Sequence, residues 1–191
     1  MLNYGENIMT RIPEPLRYFK LVQRILTRFH ILEPKEYCNL FRIHETENEV
    51  LGWQISDRKI KYRNSSFIKV NIEQGVYQKE CGNYAITELG YHYEPNSNGY
   101  FQFRFDMHSE DLHANPDSRL NMQHKIVPGE IQFDFSEMNL YLMLKIVEHY
   151  ITTKNYPLDN SFEKEYNRIA SQVRSEMKSG KNKRKKRNRL F

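Results

Sequence analysis

Residues 84–107, YAITELGYHYEPNSNGYFQFRFDM, decide the fold. On both sides of the turn cluster Pro95-Asn-Ser-Asn-Gly99 the side chains alternate with period two. Tyr91 and Tyr93 oppose His92 and Glu94, and Phe101, Phe103 and Phe105 oppose Gln102, Arg104 and Asp106. A strand sends successive side chains to opposite faces, so the pattern predicts two half-buried strands, at 84–94 and 99–107, closed into a hairpin. The aromatic rings then face a core, while Arg104 and Asp106 face the other way and His92 meets Arg104 across the pair. Toward the N-terminus, β-branched and aromatic runs predict strands at 50–56 and 66–72, with 58–62 ambiguous. Consecutive strands joined by short turns make an antiparallel sheet.

Further out the period changes to that of a helix. Residues 15–30 set Leu16, Phe19, Val22, Leu26 and Phe29 on one stripe, with Pro15 in the first turn and Arg17, Lys20, Arg24 and Arg28 on the other face. Residues 1–12 carry no pattern, and 35–42 read as a short helical turn. Residues 136–153 read as a helix capped by Ser136, in which Leu140, Met143, Leu144, Val147, Tyr150 and Ile151 repeat at three and four. A last helix from Asn160 carries Phe162, Tyr166, Ile169, Val173 and Met177. The expected architecture is α+β, an antiparallel sheet of about five or six strands packed by an N-terminal helix and two C-terminal helices. One domain is expected over 1–178, followed by a disordered basic tail over 179–191.

The net charge of +5 is unevenly placed. Of 29 Lys and Arg, eight (Lys178, Lys181, Lys183, Arg184, Lys185, Lys186, Arg187, Arg189) fall in the last fourteen residues, so the other 21 face 24 acidic residues and the body is near −3. The tail is therefore the expected nucleic-acid-binding element, held by counterion release, with RNA favoured over DNA and an acidic protein surface as the rival partner. Cys38 and Cys81 are too few for a disulfide framework and lack CxxC spacing, which points to a reducing cytoplasm. No apolar run reaches the ~20 residues of a membrane helix. Trp53 and the two cysteines are expected in the core. There is no GxGxxG, P-loop, HExxH or GxSxG, and no feature asks for a cofactor.

Chemistry concentrates in residues 100–126, YFQFRFDMHSEDLHANPDSRLNMQHKI, which hold three of the seven histidines together with Arg104, Asp106, Asp111, Asp117 and Arg119. Residues 108–118 read as turn chemistry, and 119–126 as a strand carrying His124. Asp106, His108, His113 and His124 together offer carboxylate and imidazole to a divalent cation, though without the helical His-x-x-x-His register. The second reading is RNA cleavage without a metal, in which the 2′-hydroxyl is the nucleophile and the protein supplies a base, an acid and a fixed cation. His108, His113 and His124 would carry protons, Arg104 or Arg119 the positive charge, and Asp106 would orient an imidazole. A purely structural reading pairs Asp106 with Arg104 or Arg119, caps a turn with Asp117 and leaves the histidines half-exposed.

The order of features resembles a family of small bacterial proteins carried near toxin–antitoxin and phage-defence genes. The matching pieces are Arg104-Phe-Asp106, His113-Ala-Asn-Pro116, Leu120 to His124, Val127-Pro128 and the helix that follows. It is also similar to the TumE-like toxins, a ribonuclease-like family. The likeness spans about a quarter of the chain, and Ala114-Asn115 separates what is elsewhere a contiguous His-Pro. It implies a toxin- or defence-type endoribonuclease, or alternatively a non-catalytic antitoxin-type partner protein.

Overall fold

The computed structural model describes residues 11–29, 40–47, 49–62, 64–80, 82–96, 100–109, 111–117, 125–128, 130–131 and 133–178. The elements are β1 (Arg11–Ile12), α1 (Pro15–Phe29), β2 (Arg42–Glu45), β3 (Val50–Lys61), β4 (Phe67–Gln78), β5 (Asn83–Glu94), β6 (Phe103–His108), β7 (Asp111–Asn115), α2 (Leu140–Thr153) and α3 (Glu163–Lys178). The strands form one antiparallel sheet in the order β2-β3-β4-β5-β6-β7, with β1 paired to β5 at Tyr84 and Ala85. The chain is thus α+β, with one N-terminal helix and two C-terminal helices, as expected. Among the described residues no helix is long and apolar enough to cross a membrane.

Three strands lie where the sequence reads otherwise. Residues 1–12 show no pattern, yet Ile12 is fully buried and its pairing with Tyr84 makes β1. Arg42, placed in a helical turn by sequence, begins β2 and pairs with Gln54. Residues 111–115 are not turn but β7, because Leu112 and Ala114 point into the core and Ser109, at φ 51°, reverses the chain within a few residues. Of the strand expected at 119–126, Ile126 exchanges backbone hydrogen bonds with Ala114, both at 2.8 Å.

The helices cover one face of the sheet. On α1 the core side is Tyr18, Phe19, Leu21, Val22, Ile25 and Leu26, while Leu16 is 51% exposed, so the buried stripe is rotated from the expected one. The cap of α2 is Asn139 rather than Ser136. Its side chain accepts from Leu142 N at 3.0 Å, whereas Ser136 is held in a turn by Asp134. Asp159 opens the last helical segment by accepting from Ser161 N, and Tyr166, Ile169, Val173 and Met177 are buried as the pattern requires.

Two departures from flat pairing shape the sheet. A register shift between Val70 and Ile72 leaves Asn71 as an extra residue in β4, opposite a distortion at Asp57 of β3, whose φ is 49°. Side-chain parity inverts there: Ile68 and Val70 face the core before it, Glu73 after it. Farther along, Trp53 lies on Gly75, where a Cβ would fall 2.2 Å from the indole Cζ2. Gly75→Ala is expected to lower stability by about 3 kcal/mol, the upper end for overpacking, as read from urea denaturation.

Glu73 is a fully buried carboxylate on the core face. Its Oε1 accepts from Trp53 Nε1 at 2.8 Å, and its Oε2 from Tyr18 at 2.7 Å, Leu140 N at 3.0 Å and Tyr91. Burial pushes this carboxyl above its ordinary range, and the four donors pull it back in part. Leu140 is the first residue of α2, so the carboxyl also lies at the positive end of that helix dipole.

Candidate functional site

The face away from the helices carries the polar residues, and strand register sets them in rows. Lys59 opposes Lys69, Lys69 opposes His92, His92 opposes Arg104 and Arg104 opposes Asn115. In the adjacent row Gly90 opposes Asp106, and Asp106 opposes His113. Directly opposed residues share a face with Cβ atoms about 4.5–5.5 Å apart, so His92, Arg104, Asp106, His113 and Asn115 form one patch across β5, β6 and β7. The expectation that His92 meets Arg104 across the hairpin holds.

Asp106 is the centre of the patch. Its Oδ2 lies 2.8 Å from Arg104 Nε and its Oδ1 3.5 Å from His92 Nε2. The Arg104 Nε–H is directed at Asn115 Oδ1, 2.9 Å away, so Arg104 and Asp106 attract by charge while the aligned hydrogen bond goes to the asparagine. Oδ2 of Asp106 thereby keeps acceptor capacity among the described residues. Arg104 stacks on Phe101, with Cζ 4.9 Å from the ring centroid, and the same ring lies 5.5 Å from His92. Phe101 therefore belongs to the polar face rather than to the core, where its alternation with Phe103 places it by sequence. Among the described residues neither Nη of Arg104 is engaged, and both can meet an oxyanion.

The β4 bulge turns Asn71 toward the patch, with its Nδ2 3.2 Å from His92 Nε2. With the amide NH2 toward the ring, Nε2 is an acceptor; with the carbonyl toward it, Nε2–H is a donor. Rotating the amide half a turn thus accommodates His92 in either protonation state. His113 is buried. Its Nδ1 donates to the Asp111 carbonyl at 3.2 Å, which leaves Nε2 as the unprotonated nitrogen of the neutral ring. Gly90 keeps the middle of the patch open, since a Cβ there would lie 3.4 Å from both Asn71 Cβ and Asp106 Oδ1.

His108 lies at the far end of β6, 81% exposed, with Nδ1 3.0 Å from Glu88 Oε1. His108→Ala is expected to change stability by less than about 0.5 kcal/mol and to leave any RNA cleavage within a fewfold of wild type. His124, Arg119 and the tail cations Lys181, Lys183, Arg184, Lys185, Lys186, Arg187 and Arg189 lie outside the described residues, as do Cys38 and Cys81. Of the residues singled out from sequence, Arg104, Asp106 and His113 come together. His92 joins them as a full member, and Asn71, Asn115 and Gly90 are additions. A glycine inside an otherwise regular strand was the available signal, because it marks a bulge or a close approach. Among the described residues no three His, Cys, Asp or Glu side chains group as metal ligands, so the Asp106, His108, His113 set does not converge on one point.

No family model, curated protein or solved structure matches the chain.

Proposed function

We propose that the open face of the sheet is the site of an endoribonuclease using general acid–base catalysis, with RNA supplying its own 2′-oxygen as nucleophile. What supports the reading is one observation: His92 and Arg104 both lie within ion-pair distance of Asp106, and His113 opposes Asp106 from the next strand. These are the parts the reaction needs. The 2′-oxygen attacks phosphorus and the bond from phosphorus to the 5′-oxygen breaks, leaving a 2′,3′-cyclic phosphate and a free 5′-hydroxyl. His113 Nε2 takes the 2′-hydroxyl proton, and His92, oriented by Asp106 and Asn71, gives one to the departing 5′-oxygen. The Nη groups of Arg104, fixed by Asn115 and Phe101, meet the charge that gathers on the non-bridging oxygens.

The test is incubation of the purified protein with labelled RNA, with and without EDTA, followed by identification of the new ends. Cyclic phosphate ends formed in EDTA support the proposal. Cleavage abolished by EDTA transfers the chemistry to a metal, and intact RNA with a well-folded protein leaves a binding or antitoxin-type protein in its place.

A further inference from the structure

We infer that Lys59, Lys69, His92 and Arg104 form a track for the sugar–phosphate backbone of single-stranded RNA, running across the strands of the open face. The four oppose one another in sequence from β3 to β6. Like charges directly opposed in a sheet cost stability, and Lys59 opposite Lys69 does just that. Among the described residues neither lysine makes an ion pair, Asp106 meeting only the Arg104 and His92 end of the row, which closes on Asn115. A polyanion lying along the row removes this repulsion. At about 4.8 Å between strands, Lys59 and Arg104 are about 14 Å apart along the row, room for a few nucleotides of an extended chain.

The row also limits what the polyanion is. It is flanked by Glu94, two residues from His92 on β5, on one side and by Asp106, two residues from Arg104 on β6, on the other, and these repel a second phosphate chain and so favour one strand over a duplex. Lys59 Nζ sits 3.5 Å over the ring of Phe67, which pins its stem to the sheet and covers an aromatic already buried. Phe101 stands beside the row at its Arg104 end, against Arg104 and His92. Between Lys59 and His92 the contacts are to phosphates rather than to stacked bases, so binding there tolerates any sequence.

The identity of the strand as RNA rests on the proposed nuclease reading, and the experiment separates the two. Binding of a fluorescent 2′-O-methyl oligouridine, which cannot be cut through its 2′-oxygen, is measured over about 50–200 mM salt for the full chain and for the Lys59→Gln/Lys69→Gln double variant. The tail contributes equally to both. Each lost phosphate contact on a single strand lowers the slope of log affinity against log salt by about 0.7, so the double variant is expected to lose about 1.4, with Lys59→Arg/Lys69→Arg restoring it. An unchanged slope in a double variant with wild-type circular dichroism overturns the track, even if the protein cuts RNA. A protein that cuts nothing but loses the slope keeps the track and loses the nuclease. Displacement of the oligouridine from the wild type by polyglutamate as readily as by unlabelled RNA, with no such displacement from the double variant, overturns RNA as the occupant in favour of an acidic protein.

Discussion

His92→Ala and Asp106→Asn are each expected to lower the rate of RNA cleavage by about 10²- to 10⁴-fold, the cost of removing a proton carrier or the group that orients it. The fold should survive both changes. The two side chains lie on the face away from the helices, 15% and 22% exposed, His92 contacts Phe101 and Asn71 rather than the core, and asparagine keeps the shape of Asp106 while losing its charge. A lost proton transfer depresses kcat and kcat/KM together, since the interaction exists only in the transition state. Arg104→Lys separates charge from geometry: it keeps the cation but gives up the fork held by Asn115 and stacked on Phe101. Single-turnover rates beside circular dichroism of each variant decide the matter. A folded His92→Ala protein that cuts at the wild-type rate removes His92 from the mechanism.

Glu73→Leu is expected to destabilise the protein by at least about 3 kcal/mol, a large part of a domain's usual 5–15 kcal/mol. Leucine fills similar space but leaves Trp53 Nε1, the Tyr18 and Tyr91 hydroxyls and Leu140 N without their shared acceptor. Glu73→Gln keeps one acceptor oxygen and should cost less. It also abolishes a titration. The folded state raises this carboxyl above its unfolded value, so the protonated group contributes stability that is fully present below about pH 4.3 and is lost as pH rises through the folded value. The advantage of wild type over Glu73→Gln should therefore be greatest in acid and shrink toward neutrality. Urea denaturation of both proteins at matched pH measures it, and an advantage that grows with pH would reverse the sign of the assignment.

The legible parts of the fold were those in which one period persists. The hairpin around Pro95 and the three helices follow from Tyr91 and Tyr93, Phe103 and Phe105, and the stripes that begin at Leu16, Leu140 and Phe162, although Leu16 itself is exposed. Parity inversion at Asn71 hid half of β4, because strict alternation from Ile68 and Val70 sends Glu73 to the polar face, whereas it is buried on the same core face as they are. The polar residues His113 and Asn115 are buried on β7, and polar burial reads as turn when only Leu112 and Ala114 mark the inward side. The same cause divided the site. His92 opposite Arg104 follows from hairpin register, whereas His113 opposite Asp106 depends on the reversal at Ser109, and Asn71 on a bulge that no local pattern announces.

The outermost strand of the sheet, β2, has a bearing on how the protein behaves at high concentration. A sheet edge with free amides is a template on which other chains can grow, and long, flat, apolar edges lead to aggregates. Here the edge is four residues, about 13 Å, and it is interrupted by a register shift between His44 and Glu45. Arg42, His44 and Glu45 are exposed along it, and Ile43 is its single apolar side chain. At the opposite border Ala114 of β7 already spends its outward hydrogen bonds on Ile126. Along Val50–Gln54 of β3 and at Ala114 of β7, therefore, an incoming strand meets a short, charged and interrupted rim in place of a continuous ladder.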